Sequence, residues 1–314
     1  MHAVRLLLDS VVDYAGLFPP ANLDMASTVS NYARYRRTPD SWMLARLILP
    51  IKSCPDFVRD ADAHLPLTAD VEGDEPWPLS VLVAPASDEQ IIADLERIES
   101  FNEHMGDREF SRVEGRALVD TIETRATKPH EIDQALEYVP DEIFAYIEIP
   151  LDIDPRGLLA AMASLDVGAK IRTGGLTPND HPSPAHVARF LKMCRAAEVP
   201  FKATAGLHHP CRQMSADVGC MQFGFLNLFV AGCLLWNDDS MSETEIEAVL
   251  VEERASAFEF GPTGLAWRKH ALRFEQIATA RERFAHSFGS CSFEEPLHDL
   301  RILGLLPAAE EVMP

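Results

Sequence analysis

Short apolar runs rich in β-branched residues alternate with helical patterns along nearly the whole chain, and this alternation constrains the fold more than any other feature. The runs fall at 44–49, 79–84, 115–122, 143–149, 167–172, 200–204, 257–261 and 287–292. Most successive runs are separated by roughly 30 residues, the length of one strand–helix unit. Strands so far apart are not joined by tight hairpins, so they pair in parallel and need helices to cover them. The intervening segments supply such helices. In 185–197, Val187, Phe190, Leu191 and Cys194 share one helical face, while Arg189, Lys192 and Arg195 fall elsewhere. Ser183 followed by Pro184 reads as an N-cap and first helical position. Segments 88–101 and 129–139 are predicted to be helical as well.

Eight such units predict an α/β fold, a closed (β/α)8 TIM-like barrel, for which about 250 residues usually suffice. Residues 1–40, with the turn Phe18-Pro19-Pro20, read as a helical N-terminal extension, and 41–314 as the barrel. The long interval after 200–204, the sixth strand by this count, is expected to hold a helical insertion with helices at 216–236 and 243–254. Residues 64–78, carrying Pro66, Gly73, Pro76 and Pro78, read as an exposed acidic loop.

The formal net charge of −21 argues against a nucleic-acid partner, since phosphate contacts need clustered Lys and Arg. An anionic small molecule would have to be held in a local pocket lined by its own cations. Cys54, Cys194, Cys211, Cys220, Cys233 and Cys291 form no C-x-x-C pair, and the opening MHAVRLLLDSVVDY, broken by Asp9 and Asp13, does not resemble a signal peptide. A reduced, cytoplasmic protein is the expectation. The longest apolar stretch, 220–236, contains Gln222, Gly224, Asn227 and Gly232 and is shorter than the ~20 residues a membrane span needs. It reads as a buried helix or a homodimer contact rather than a membrane anchor.

In a barrel of this kind the chemistry sits at the C-terminal ends of the strands. The residues there are Lys52, Glu123, Glu148, Lys170 with Arg172, Lys202 followed by His208 and His209, and Glu259. A lysine in a buried strand is costly unless paired or neutral. One reading is a structural ion-pair network of Lys170 and Lys202 with Glu123 and Glu148. Another is that one lysine is a nucleophile whose pKa the other lowers, with Glu148 and His208 as acid–base groups. Arg172 and the turns at Gly174, Gly175 and Gly206 could clamp an anion, or the glycines could simply make tight turns.

Two motifs carry a resemblance. Lys170-Ile171-Arg172-Thr173-Gly174-Gly175 and Lys202-Ala203-Thr204-Ala205-Gly206 are similar to the Lys-Thr-x-Thr-Gly and Lys-Ala-x-Gly-Gly strand ends of class I aldolases of the deoxyribose-phosphate type. The resemblance covers these two segments only. It implies a lyase that forms a Schiff base on Lys170, assisted by Lys202, with no cofactor and no metal. Arg172 replaces a small polar residue of that pattern, His208-His209 follow where the aldolases continue with a phosphate-binding turn, and by this count the lysines lie on strands five and six, one earlier than in the aldolases. The strings DYAGLFPPA and KATAGLHHP also resemble a group of uncharacterised bacterial proteins, a likeness that implies no activity.

Three functions follow as expectations. The first is an aldolase-like lyase acting on a small anionic carbonyl compound. The second is a metal-assisted, enolase-like proton abstraction using Glu123, Glu148 and one of the two histidines. The third is a non-catalytic barrel that binds an anionic metabolite through Arg172 and the glycine turns.

Overall fold

In the computed structural model, which describes residues 2–66, 75–103 and 116–308, eight parallel strands close into a barrel. They are β1 (Val12–Tyr14), β2 (Leu44–Pro50), β3 (Trp77–Leu82), β4 (Ala117–Arg125), β5 (Phe144–Glu148), β6 (Val167–Arg172), β7 (Phe201–Thr204) and β8 (Ala285–Ser290). Each strand pairs with its neighbours in sequence, and β1 closes the ring by pairing with both β2 and β8. Helix α1 (His2–Leu8) precedes β1, and α2 (Met25–Tyr35), α3 (Cys54–Ala61), α4 (Gln90–Glu103), α5 (Pro129–Leu136), α6 (Arg156–Met162) and α7 (Pro184–Ala197) follow β1 to β6 in turn. After β7 come α8 (Phe225–Asn237), α9 (Glu243–Leu250) and α10 (Phe274–Arg283), and α11 (Glu294–Ile302) follows β8. The fold is a (β/α)8 TIM barrel.

The expected number of strands is right, but two of its members change places. Residues 1–40 are not a purely helical extension, because they contain β1, the strand that closes the barrel. Only three residues long and centred on Asp13, β1 has no apolar run to announce it; Val12 and Tyr14 are nevertheless almost fully buried. Residues 257–261 in turn are not a barrel strand. Phe258–Phe260 is the edge of a three-stranded antiparallel sheet with Gly264–Trp267 and His270–Arg273, and Glu259 is exposed there, away from the strand ends. Hairpin pairing with the next segment replaces the helix that a parallel unit requires. The insertion accordingly follows the seventh strand, not the sixth, and it is mixed: a hairpin of Gln213–Ser215 and Cys220–Gln222 precedes α8.

The apolar stretch around α8 is used inside the chain. All residues from Phe225 to Leu235 are buried. Phe229 lies 6.3 Å from Phe201 of β7, and Phe225 stacks 5.4 Å from Phe288 of β8. Gly232 permits this approach, since a Cβ there would stand 3.1 Å from both Ala285 Cβ and the Phe201 ring. Among the described residues no helix is long and apolar enough to cross a membrane. Helix α7 begins as expected, with the Ser183 side chain accepting from the His186 amide and Pro184 next. Of the acidic loop read at 64–78, residues 67–74 lie outside the described residues, as does Gly115 at the start of the run 115–122.

Candidate active site

Side chains alternate between the two faces of a strand, so Glu123 and Arg125 share a face on β4, as do Lys170 and Arg172 on β6. Register aligns them across strands. Arg125 stands opposite Glu148, Glu148 opposite Lys170, and Lys170 opposite Lys202. Four neighbouring strands therefore bring arginine, glutamate and two lysines into one row at the C-terminal end of the barrel.

The two amines do not face each other unscreened. Glu123 lies between them, with Lys170 Nζ 2.7 Å from its Oε2 and Lys202 Nζ 2.5 Å from its Oε1. Ser80 donates to Glu123 Oε1 at 2.8 Å. Lys170 also reaches Glu148 at 2.9 Å, and Lys202 reaches Asp13 at 2.6 Å. Asp13 in turn accepts from the Arg46 amide and from the Ser287 hydroxyl. Three carboxylates thus alternate with two ammoniums in a chain from Asp13 to Glu148. Burial alone would drive such groups neutral. Here the alternation keeps the charges: burial raises the Glu123 pKa, but the two lysines outweigh it and hold the carboxyl far below the usual range. Burial lowers the Lys170 pKa, and Glu123 and Glu148 outweigh that too, leaving the amine above its ordinary value. This corrects the expectation that Lys202 activates Lys170 by repulsion, because a shared carboxylate separates the two cations.

Access distinguishes the lysines. A cavity of about 850 Å³ opens over the C-terminal strand ends, and Lys170, Glu123, Glu148, Arg125, Arg172 and His208 line it while Lys202 does not. Lys202 is 0% exposed and its ammonium also lies over the Tyr146 ring, 5.3 Å from the centroid. Glu148 is the solvent-facing end of the chain, its side chain 28% exposed.

The other expected residues divide. Gly175 and Gly206 line the cavity. Gly174 instead packs against Gly206: a Cβ on Gly174 would come within 2.8 Å of Gly206 Cα, so these glycines let two strand–helix turns touch. Arg172 is exposed to the cavity, and its Nε donates to the Gly174 carbonyl at 2.9 Å. His208 and His209 both line the cavity but are turned to α11, with their Nδ1 atoms 3.0 Å from Glu295 and 2.6 Å from Asp299. Among the described residues no three His, Cys, Asp or Glu side chains converge to hold a metal ion. The mixed His–Glu metal set is not assembled, since both Glu123 oxygens are taken by ammoniums. Cys291 lines the cavity as well, but burial raises its thiol pKa, the wrong direction for a nucleophile.

Two residues of the site escape a reading of strand ends from sequence. Asp13 lay in the segment read as helical, where its only signal was a lone acid flanked by Val12 and Tyr14. Arg125 lay beyond a strand read as ending at Ile122, whereas β4 continues to Arg125 itself. No family model, curated protein or solved structure matches the chain. The barrel is of a kind compatible with an enzyme or with a small-molecule binding protein.

Proposed function

We propose that the chain is an aldolase-like lyase that forms a Schiff base between Lys170 and a small anionic carbonyl compound. The observation that carries this reading is that Lys170 lines the cavity and is held between two carboxylates, one of them open to that cavity. With the lysines on β6 and β7, the strand count that had set the chain one step off the aldolase pattern no longer does so.

The chemistry needs the neutral amine. Glu148 passes a proton from the Lys170 ammonium on to solvent, and the freed lone pair adds to the substrate carbonyl carbon. The carbinolamine oxygen then takes up protons, one relayed by Glu148, and leaves as water to give the iminium. As the bond between the α and β carbons breaks, the substrate β-hydroxyl gives its proton to Glu148 and the β fragment leaves as an aldehyde, while the bond's electron pair moves into the iminium to form an enamine. Glu148 then returns the proton to the α carbon, and water adds to the resulting iminium to release the second carbonyl product and restore Lys170. Lys202 and Asp13 serve as positioning residues that fix the Glu123 carboxylate against Lys170. Arg172 is suited to the anionic group of the substrate.

Borohydride reduction in the presence of pyruvate, glyoxylate or acetaldehyde, followed by intact and peptide mass, is the test. An adduct on Lys170 that disappears in Lys170→Met supports the reading; no adduct with any carbonyl sinks it. The raised Lys170 pKa favours a second reading, a non-catalytic barrel in which the lysine stays an ion-paired cation. That reading expects anionic ligands to bind Lys170→Met as they bind the parent.

A further inference from the structure

A second cavity, of about 730 Å³, adjoins the first, and the two share Pro85, Arg125, Glu148 and Arg172 as their common wall. The two arginines end β4 and β6, either side of Glu148 at the end of β5. Elsewhere in this acidic chain arginines find carboxylates: Arg46 pairs with Asp120, Arg116 with Asp62 and Arg301 with Asp40. Arg125 and Arg172 form no ion pair among the described residues. Apart from the bond from Arg172 Nε to the Gly174 carbonyl, no donor of either guanidinium has a partner there.

Two acids of the second cavity are engaged by neighbouring donors, while Asp152 lies exposed on its wall. The Glu131 carboxylate accepts the Thr127 and Lys128 amides, and Asp180 accepts the amide and hydroxyl of Thr177. Glu148, between the arginines, pairs with Lys170, an ammonium it shares with Glu123. What remains is a pair of planar donor forks opening on one space, which is the requirement for holding an oxyanion.

We infer that Arg125 and Arg172 together form an oxyanion site at the junction of the two cavities, which selects carbonyl compounds bearing a carboxylate or phosphate. This rests on the Schiff-base reading for the carbonyl and deepens it for the anion. The spacing limits the ligand. Two residues along a strand place the Arg172 Cα about 6.6 Å beyond that of Lys170, and two strand spacings place that of Arg125 about 10 Å across. A short carbon chain, with the anionic group a few bonds from the carbonyl, spans from the arginines to the Lys170 amine.

The test compares initial rates of borohydride trapping, below saturation, with pyruvate, dihydroxyacetone phosphate and uncharged dihydroxyacetone. Arg125→Gln and Arg172→Gln are expected to slow trapping of the charged probes about tenfold or more and to leave dihydroxyacetone unchanged. The charged probe that suffers the larger loss identifies carboxylate or phosphate as the ligand. Equal slowing of charged and neutral probes, or no slowing of either, overturns the site. If no probe is trapped by the parent protein, the Schiff-base reading fails on its own, and calorimetry with pyruvate and inorganic phosphate decides the anion site. Binding weakened about tenfold in Arg125→Gln upholds it; binding unchanged in that variant, or absent in the parent, overturns it. Both arginines are exposed, so the circular dichroism melt of each variant is expected to match the parent.

Discussion

Asp13 on β1 and Lys202 on β7 meet at 2.6 Å in the barrel interior, although β8 lies between their strands. The contact ties the first strand of the chain to the seventh, and Glu123 holds the other side of the same ammonium. Removing the cation leaves two buried carboxylates facing each other. Lys202→Met is therefore expected to cost about 3–5 kcal/mol, measured by urea unfolding. Asp13→Asn added to it should recover part of the loss, because it removes one of the stranded charges. A loss under about 1 kcal/mol, the level of an exposed pair, would show that the network is not holding the barrel.

The direction of the Lys170 shift sets the pH dependence of trapping. With the folded pKa above its ordinary value, the amine is protonated through the neutral range, and its neutral fraction rises about tenfold per pH unit. The trapping rate should climb at that slope from pH 7 to pH 9 without levelling. A plateau below pH 8 would mean that the amine is activated in the ligand complex by something other than the resting network. Ion pairing of Lys170 contributes stability that is fully present below the unfolded lysine pKa and is lost only as pH rises through the folded one.

The barrel was legible because parallel strands buried on both faces leave continuous apolar runs, and seven of the eight are visible in that way. β1 was not, because a three-residue strand is defined by its partners β2 and β8 rather than by its own residues. Conversely, Phe258–Phe260 has the composition of a strand, and only its antiparallel partner reveals that it lies outside the barrel. For the site, Lys170, Lys202, Glu123 and Glu148 were found from the cost of burying a charge, a rule that names residues without naming partners. That Glu123 would stand between the amines depends on register across β4 to β7, which no local pattern encodes.

Two consecutive residues after β7 test the backbone there. Gly206 has φ +75° and approaches Gly174 so closely that an added Cβ would lie 3.0 Å from Gly174 Cα. Gly206→Ala should lose at least ~1–2 kcal/mol from the left-handed backbone alone, seen as a lower midpoint in thermal melts. Ala205 already carries φ +63° with a side chain. Ala205→Gly should be neutral or gain up to about 1 kcal/mol. Equal losses in both variants would mean that packing of the turn, not its backbone conformation, sets the cost.

His286 offers a pH-dependent term at the opposite end of the barrel. Its Nδ1 lies 2.7 Å from the Tyr146 hydroxyl and its Nε2 3.0 Å from the Glu282 carbonyl. Burial, reinforced by the Arg281 and Arg46 charges, lowers its pKa from 6.5 to about 4. The unfolded chain therefore takes up this proton before the folded one does. Its contribution to stability is complete above pH 6.5 and is lost as pH falls toward about 4. Urea midpoints of the parent should decline across that window, by at most ~1.4 kcal/mol per pH unit from this one group. His286→Phe keeps a ring but cannot take up a proton, so its stability should fall less steeply over the same interval, whatever the cost of the lost Tyr146 bond at neutral pH. Parallel curves for the two proteins would assign the acid sensitivity to other groups, with the carboxylates around Lys170 and Lys202 the next to examine.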